Sequence, residues 1–173
     1  MLPSGIITVK ELILWEYARL ISEEASGTKN NWSFNLHNFE RLNSDKDTWL
    51  KIVEMENKID PNKCAYCGSP EELLIVRIVP KKMCRLTEIH NIIRSCKKCN
   101  LSKGSKDLLD WWARDLRDKI PRNVMARYLK ILYICHECNG TMESCAFDKN
   151  GNRDISNLKS VFKKNCSAAK TKL

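Results

Sequence analysis

No stretch of this 173-residue chain approaches the roughly 18 consecutive apolar residues that a membrane-spanning helix needs, so a bilayer-embedded role is not expected. The N-terminus lacks the pattern of a secretory signal, which leads to the expectation of an intracellular protein, in cytoplasm, nucleoid or nucleus. There is no internal repeat of useful length and no low-complexity tract, which argues against repeat architectures and disordered linkers. What is present is the composition of a folded chain, 43% hydrophobic and 29% charged. Its length suits one domain, or a small domain with substantial helical flanks. Nine cysteines without a secretory signal argue for reduced thiols and metal ligation rather than a disulfide framework.

The formal net charge is +9, and it is unevenly placed. Residues 1–60 hold seven Lys/Arg against ten Asp/Glu, whereas residues 77–106 hold nine against the single Glu88. A second basic stretch, Lys149 to Leu173, carries seven bases and only Asp154. Such asymmetry suits a polyanionic partner, because each Lys or Arg that meets a phosphate releases condensed counterions.

The apolar pattern predicts a helix over 8–25, with Thr8 and Glu11 fitting a capping box and Leu12, Ile13, Trp15, Leu20 and Ile21 on a broad apolar face. Gly27 to Asn31 reads as a loop. A second helical region is expected from about Leu36 to Lys58, with a break near Asn43-Ser44 and Ser44 capping a new helix. Asp60-Pro61-Asn62 is a turn. Leu73 to Val79 reads as a strand stopped by Pro80, Ile89 to Ser95 as a second strand, and Cys96 to Lys106 as a turn into a short helix. Asp107 to Lys119 is amphipathic. Pro121 suits the first turn of a further helix running to about Cys135, with Met125, Tyr128, Leu129 and Leu132 on one side. The segments so defined are a helical arm (1–60), a central unit (61–106), a helical segment (107–138) and a basic C-terminal region (139–173).

Two C-x2-C pairs, Cys64-Ala65-Tyr66-Cys67 and Cys96-Lys97-Lys98-Cys99, bracket 28 residues. Two residues between cysteines let both sulfurs reach one metal from a tight turn, and two such pairs make a closed four-thiolate site for structural zinc. A less regular second group, Cys135, Cys138, Cys145 and Cys166, allows a second zinc, with His136 an alternative ligand. Cys84 is left over.

Between the pairs lie Leu74-Ile75-Val76-Arg77-Ile78-Val79-Pro80 and Asn91-Ile92-Ile93-Arg94-Ser95-Cys96-Lys97-Lys98-Cys99-Asn100-Leu101-Ser102-Lys103. This pattern resembles the HNH family of nucleases, the zinc-bearing branch of the ββα-metal endonucleases, over about 45 of the 173 residues. The spacing matches: Arg77 stands fourteen positions before Asn91, and Asn91 five before Cys96. The resemblance implies an α+β fold with a small zinc-bound ββα core, HNH- or treble-clef-like, between N- and C-terminal helices. It further implies an endonuclease in which a neutral histidine is the general base. A divalent cation such as Mg2+, held by an Asp beside that histidine and by an Asn or His on the helix, would stabilise the phosphate. Asn91 matches the residue that orients the histidine loop, and Asn100 the metal position on the helix.

Two positions depart from the family. Val76 replaces the aspartate and has no oxygen for a hard cation. Arg77 replaces the base, and a guanidinium cannot accept a proton near neutral pH. Arg77 is suited to gripping a phosphate instead, since its planar fork matches two phosphate oxygens. His90 is the only imidazole in the motif and the alternative catalytic candidate, with Glu88 as a metal ligand in a rewired site. Arg77, Lys81, Lys82, Arg85, Lys97, Lys98 and Lys103 form the expected phosphate-contacting set. DNA is the expected partner and RNA an alternative, with a dimer compatible with double-strand cleavage. Two functions stay open: an endonuclease with altered catalytic residues, and an inactive nuclease-derived module that binds nucleic acid or protein. Under the second, the acidic arm with Trp32 and Phe34 would meet a protein partner.

Overall fold

The computed structural model describes Pro3 and residues 5–28, 30–45, 59–83 and 91–163. The second helix ends at Ser44, at the expected break, while the continuation to Lys58, the start of the second strand at Ile89 and the chain end from Cys166 involve positions outside the described residues.

Helix α1 spans Val9–Ser26. The capping box is present: the Glu11 amide donates to Thr8 Oγ1 at 3.2 Å, and Glu11 Oε2 accepts from the Thr8 and Ile7 amides at 2.9 Å each. The two remaining first-turn amides, Val9 and Lys10, donate to the carbonyls of Ser144 and Met142. All first-turn donors are therefore satisfied. Gly27 ends the helix in the left-handed region at φ 72. Helix α2 covers Trp32–Ser44, four residues ahead of the expected start, because Asn31 Oδ1 caps the Phe34 amide. Trp15 packs on Trp32 and Phe39, with ring centroids 5.5 and 5.9 Å apart. Asn38 Nδ2 donates to Ser22 Oγ across this α1–α2 pair.

Strands β1 (Leu73–Arg77) and β2 (Ile92–Cys96) form an antiparallel pair in the register Leu73↔Cys96 to Arg77↔Ile92. β1 ends two residues before the expected Val79. The Val79 backbone is taken instead by the Asn91 side chain, whose Oδ1 accepts from the Val79 amide and whose Nδ2 donates to its carbonyl. Helix α3, Lys97–Lys103, follows directly from β2. Helix α4 is only Leu108–Trp111, capped by Asp107. The amphipathic run expected over 107–119 is thus split, for Trp112 and Ala113 are extended before a 3-10 turn at Arg114–Lys119.

Helix α5, Arg122–Cys138, has Pro121 at its N-cap rather than inside its first turn, where the proline carbonyl accepts from Val124 and Met125. A 3-10 stretch at Ile155–Lys163 closes over α5, with Tyr128 and Phe162 edge-on at 5.9 Å. The architecture is a mixed one, helices around a small two-stranded sheet. One apolar core runs from α1 and α5 through Ile78, Val79 and Ile93 to Cys64 and Tyr66. No described helix is long and apolar enough to cross a membrane. Trp32 and Phe34 are exposed.

The cap gives a direct test of how far α1 depends on its first turn. Thr8→Ala removes one acceptor and is expected to destabilise the protein by about 1 kcal/mol. Urea unfolding should show a lower midpoint with an unchanged slope.

Candidate metal centre and adjoining cleft

The first cysteine pair sits on a turn that the backbone fixes twice. The Cys64 amide donates to the Ser69 carbonyl at 2.7 Å, and the Gly68 amide to the Cys64 carbonyl at 2.8 Å. Gly68 takes φ 76, a left-handed conformation that a side chain would strain. The Ala65 amide donates to the Arg94 carbonyl, tying this turn to β2. The second pair spans the junction of β2 and α3, where Cys96 is the N-cap and its sulfur accepts from the Cys99 amide.

These two supports bring the ligand atoms of Cys64, Cys67, Cys96 and Cys99 within 4.8 Å of one another. Sulfurs bound to one zinc at about 2.3 Å would lie about 3.8 Å apart along a tetrahedral edge. Cys67 Sγ and Cys96 Sγ are 3.7 Å apart. The four thiols are therefore close enough to coordinate one zinc ion, and such a set leaves no open position for substrate.

The thiols do not share one electrostatic environment. Burial raises the Cys64 thiol, but the amides of Cys96, Cys67 and Tyr66 outweigh it and hold it at about 6. Cys99 is pushed up by burial and then by the sulfurs around it. Cys67 also rises: its backbone bond with Ser69 works against the change, and burial with neighbouring sulfurs wins. A divalent cation removes this conflict, because four thiolates around it are attracted to the centre more than they repel each other.

Around the cluster, buried polar side chains hold the chain in register. Asn91, 1% exposed, makes the two bonds to Val79 already described, while its own carbonyl accepts from the Ile78 amide. Lys103 was expected on the phosphate-contacting surface. It is instead 3% exposed, with Nζ donating to the carbonyls of Arg77 and Lys106. It serves as a clamp between β1 and the end of α3. Burial lowers its pKa to about 8, partly offset by Asp107. Arg127 Nη1 donates to the Ile92 carbonyl, joining α5 to β2, and Tyr128 donates to Asp107 Oδ1. Trp111 stacks edge-on against Tyr66 at 4.9 Å and donates to Ser102 Oγ.

Beside the cluster lies a cleft of about 260 Å³ bounded by Tyr66, Ile75, Arg77, Lys81, Asn100 and Lys103. Its lining among the described residues includes no carboxylate and no imidazole. Among the described residues, the half-buried Arg77 has no hydrogen-bond partner for Nε. Of the expected site residues, Arg77, Lys81, Asn100 and the clamp Lys103 meet here, as does Val76. Asn91 acts from behind, through Val79. Lys82 is exposed and donates to Ser105 Oγ, and Lys97 and Lys98 are exposed on α3. His90, Arg85, Glu88 and Cys84 lie outside the described residues. Arg94, exposed and opposite Ile75 across the ladder, belongs to the basic stretch 77–106 but was left out of the expected phosphate-contacting set; its alternate position on a strand was the available signal.

For the second cysteine group, Cys166 lies outside the described residues, and the described residues hold no second metal-ligating cluster. Cys135 is buried while Cys138 and Cys145 are exposed. His136 faces Thr141 Oγ1 with Nδ1 and the Leu158 carbonyl with Nε2, so both ring nitrogens already have partners. A comparison of the chain with protein families, with curated proteins and with solved structures returns no match.

Two measurements follow from this geometry. Cys64→Ser or Cys96→Ser should abolish stoichiometric zinc, read by elemental analysis, and expose 64–103 to amide exchange, whereas Cys138→Ser with Cys145→Ser should leave the ion of this cluster in place. The Lys103 clamp predicts a pH signature in the zinc-loaded protein. Between pH 8 and 10.5 the unfolded chain holds the Lys103 proton more firmly than the folded one, so this group's contribution to stability rises with pH there. Compared with Lys103→Met, the native protein should gain relative stability across that window in denaturant titrations, and a difference that is flat with pH would contradict the assignment.

Proposed function

We propose that this chain is a DNA-binding protein of HNH-nuclease type, in which a zinc-stabilised strand–strand–helix unit presents a phosphate-gripping cleft. The observation that carries the reading is the convergence of Arg77, Lys81 and Asn100 on one cleft beside the four thiols. A half-buried guanidinium lining the cleft suits a phosphate contact. The cations Arg94, Lys97 and Lys98 on the exposed parts of β2 and α3 extend the basic surface along a backbone. The structural ion in this reading is zinc, held by Cys64, Cys67, Cys96 and Cys99. Its chemistry is to hold the fold, since a hairpin this short buries too little surface to persist by itself.

Binding is favoured over hydrolysis because Val76 and Arg77, which both line the cleft, offer neither a carboxylate for a hard cation nor a proton acceptor for water. Hydrolysis is the second reading, and the Asn91 clamp on Val79 favours it, since the resemblance gives that asparagine the task of fixing the turn after the first strand. In that case Arg77 polarises the scissile phosphate, Asn100 contributes to a Mg2+ site, and the base is a residue other than Arg77, with His90, outside the described residues, the candidate.

One experiment separates these. Zinc-loaded protein is expected to bind a duplex with an affinity that falls steeply with salt, and Arg77→Ala and Lys81→Ala should each weaken binding several-fold while lowering the salt slope by about 0.9. On supercoiled plasmid, binding without nicking in magnesium, manganese or EDTA is the expected result. Nicking that requires the metal and disappears in Arg77→Ala would establish the hydrolytic reading. Salt-insensitive association, or none, would overturn both.

A further inference from the structure

The two faces of the β1–β2 ladder differ in chemistry. Ile75 pairs with Arg94 and Arg77 with Ile92, and residues paired directly or two apart along a strand share a side, so these four lie on one face. The opposite face carries Ile93 and Ser95, both buried. On the first face Ile75 is 74% exposed, and Arg94 is exposed beside it. Ile75 and Arg77 also line the cleft, which makes the face and the cleft one continuous surface.

Arg77 and Arg94 occupy diagonal positions on this face, a separation of about 7–8 Å in an antiparallel pair. Neither guanidinium has an ion-pair or hydrogen-bond partner among the described residues. A single solvated arginine is ordinary on a surface. Two unpaired like charges on neighbouring positions repel, and a bound polyanion removes that cost. The other end of the ladder differs, for Glu72 lies 3.9 Å from Lys97 and offsets its charge. Along the hairpin, unopposed charge therefore runs from Arg77 at the cleft to Arg94.

The outward positions of both strands, Leu73, Ile75, Arg77, Ile92, Arg94 and Cys96, hold no aromatic ring on which a base could stack. They also hold no amide or carboxylate to meet the edge of adenine or cytosine. They offer a cation, an apolar side chain and a second cation. A nucleic-acid strand presents the complementary alternation of phosphate, deoxyribose and phosphate.

We propose that this face of the hairpin is a track for one DNA strand, with Arg77 and Arg94 on neighbouring phosphates and Ile75 packed on the sugar between them. The inference rests on the DNA-binding reading above and adds which surface carries the strand and in what mode. Contact of this kind positions the protein on the backbone without reading sequence.

The test uses the zinc-loaded full chain and short duplexes. Arg94→Ala should lower the salt slope of binding by about 0.9, as Arg77→Ala does, and the double variant by about twice that. Arg94→Lys should keep the slope. Because Arg94 is exposed, zinc content and thermal midpoint should be unchanged in Arg94→Ala. In the native complex, isotope-edited NOEs should join the Ile75 methyls to deoxyribose protons. A slope unaltered by Arg94→Ala, Ile75 NOEs to base protons alone, or a preference for G·C duplexes that Arg94→Ala abolishes would overturn the track and leave the DNA-binding reading standing. Absence of salt-dependent duplex binding, or affinity unaltered in both Arg77→Ala and Lys81→Ala, would overturn that reading and the track with it.

Discussion

Four sulfurs within 4.8 Å of one another are the constraint on which the central third of this chain depends. Two of the backbone devices that bring them together, the Gly68 turn and the Cys96 cap, are short-range and weak. Neither buries much apolar surface. Without a cation, the favourable environment of one thiol, Cys64, is set against the unfavourable environments of Cys67 and Cys99. A divalent ion turns that opposition into attraction, and its binding free energy becomes folding free energy for the hairpin and α3. On the proposed reading the ion is part of the fold.

The rest of the structure carries that constraint outward through polar atoms as much as through apolar ones. Asn91, Lys103, Arg127 and the Asp107–Tyr128 pair each meet backbone or side-chain partners where strands and helices join. A buried lysine or carboxylate contributes little net stability and costs heavily when a partner is lost. Their effect is on uniqueness. Lys103 can satisfy both carbonyls only when Arg77 and Lys106 stand in this register, so a one-residue slip of β1 would leave a buried ammonium with unmet donors.

What the sequence made legible follows from how local each signal is. The Thr8–Glu11 box, the cysteine spacing and the apolar face of α5 are encoded within four or five neighbouring residues, and they appear as expected. The misplaced boundaries depend on distant partners. β1 stops early because Asn91, twelve residues on, captures Val79. Lys103 is buried because Arg77 lies under it, twenty-six residues earlier, and no charge pattern contains that information. The start of α2 was a different kind of miss, since Asn31 is an adequate cap in plain view and was read only as the end of a loop. At the candidate site, the convergence of Arg77 and Asn100 was expected only through a family resemblance, whereas the joint contribution of Tyr66 and Ile75 to the cleft lining became apparent only from the folded chain.

The pair Val76–Arg77 bears on function more than any other departure. Catalysis requires stronger interaction with the transition state than with the ground state. A neutral base changes its charge as water attacks, and so favours the transition state selectively. A guanidinium is fully charged throughout, and it grips a bound phosphate diester before any bond is broken. In the proposed function, an arginine in this cleft raises affinity for the intact backbone without itself supplying a base. On the proposed reading, then, the substitution does more than disable a nuclease. It shifts the same scaffold from turnover toward retention.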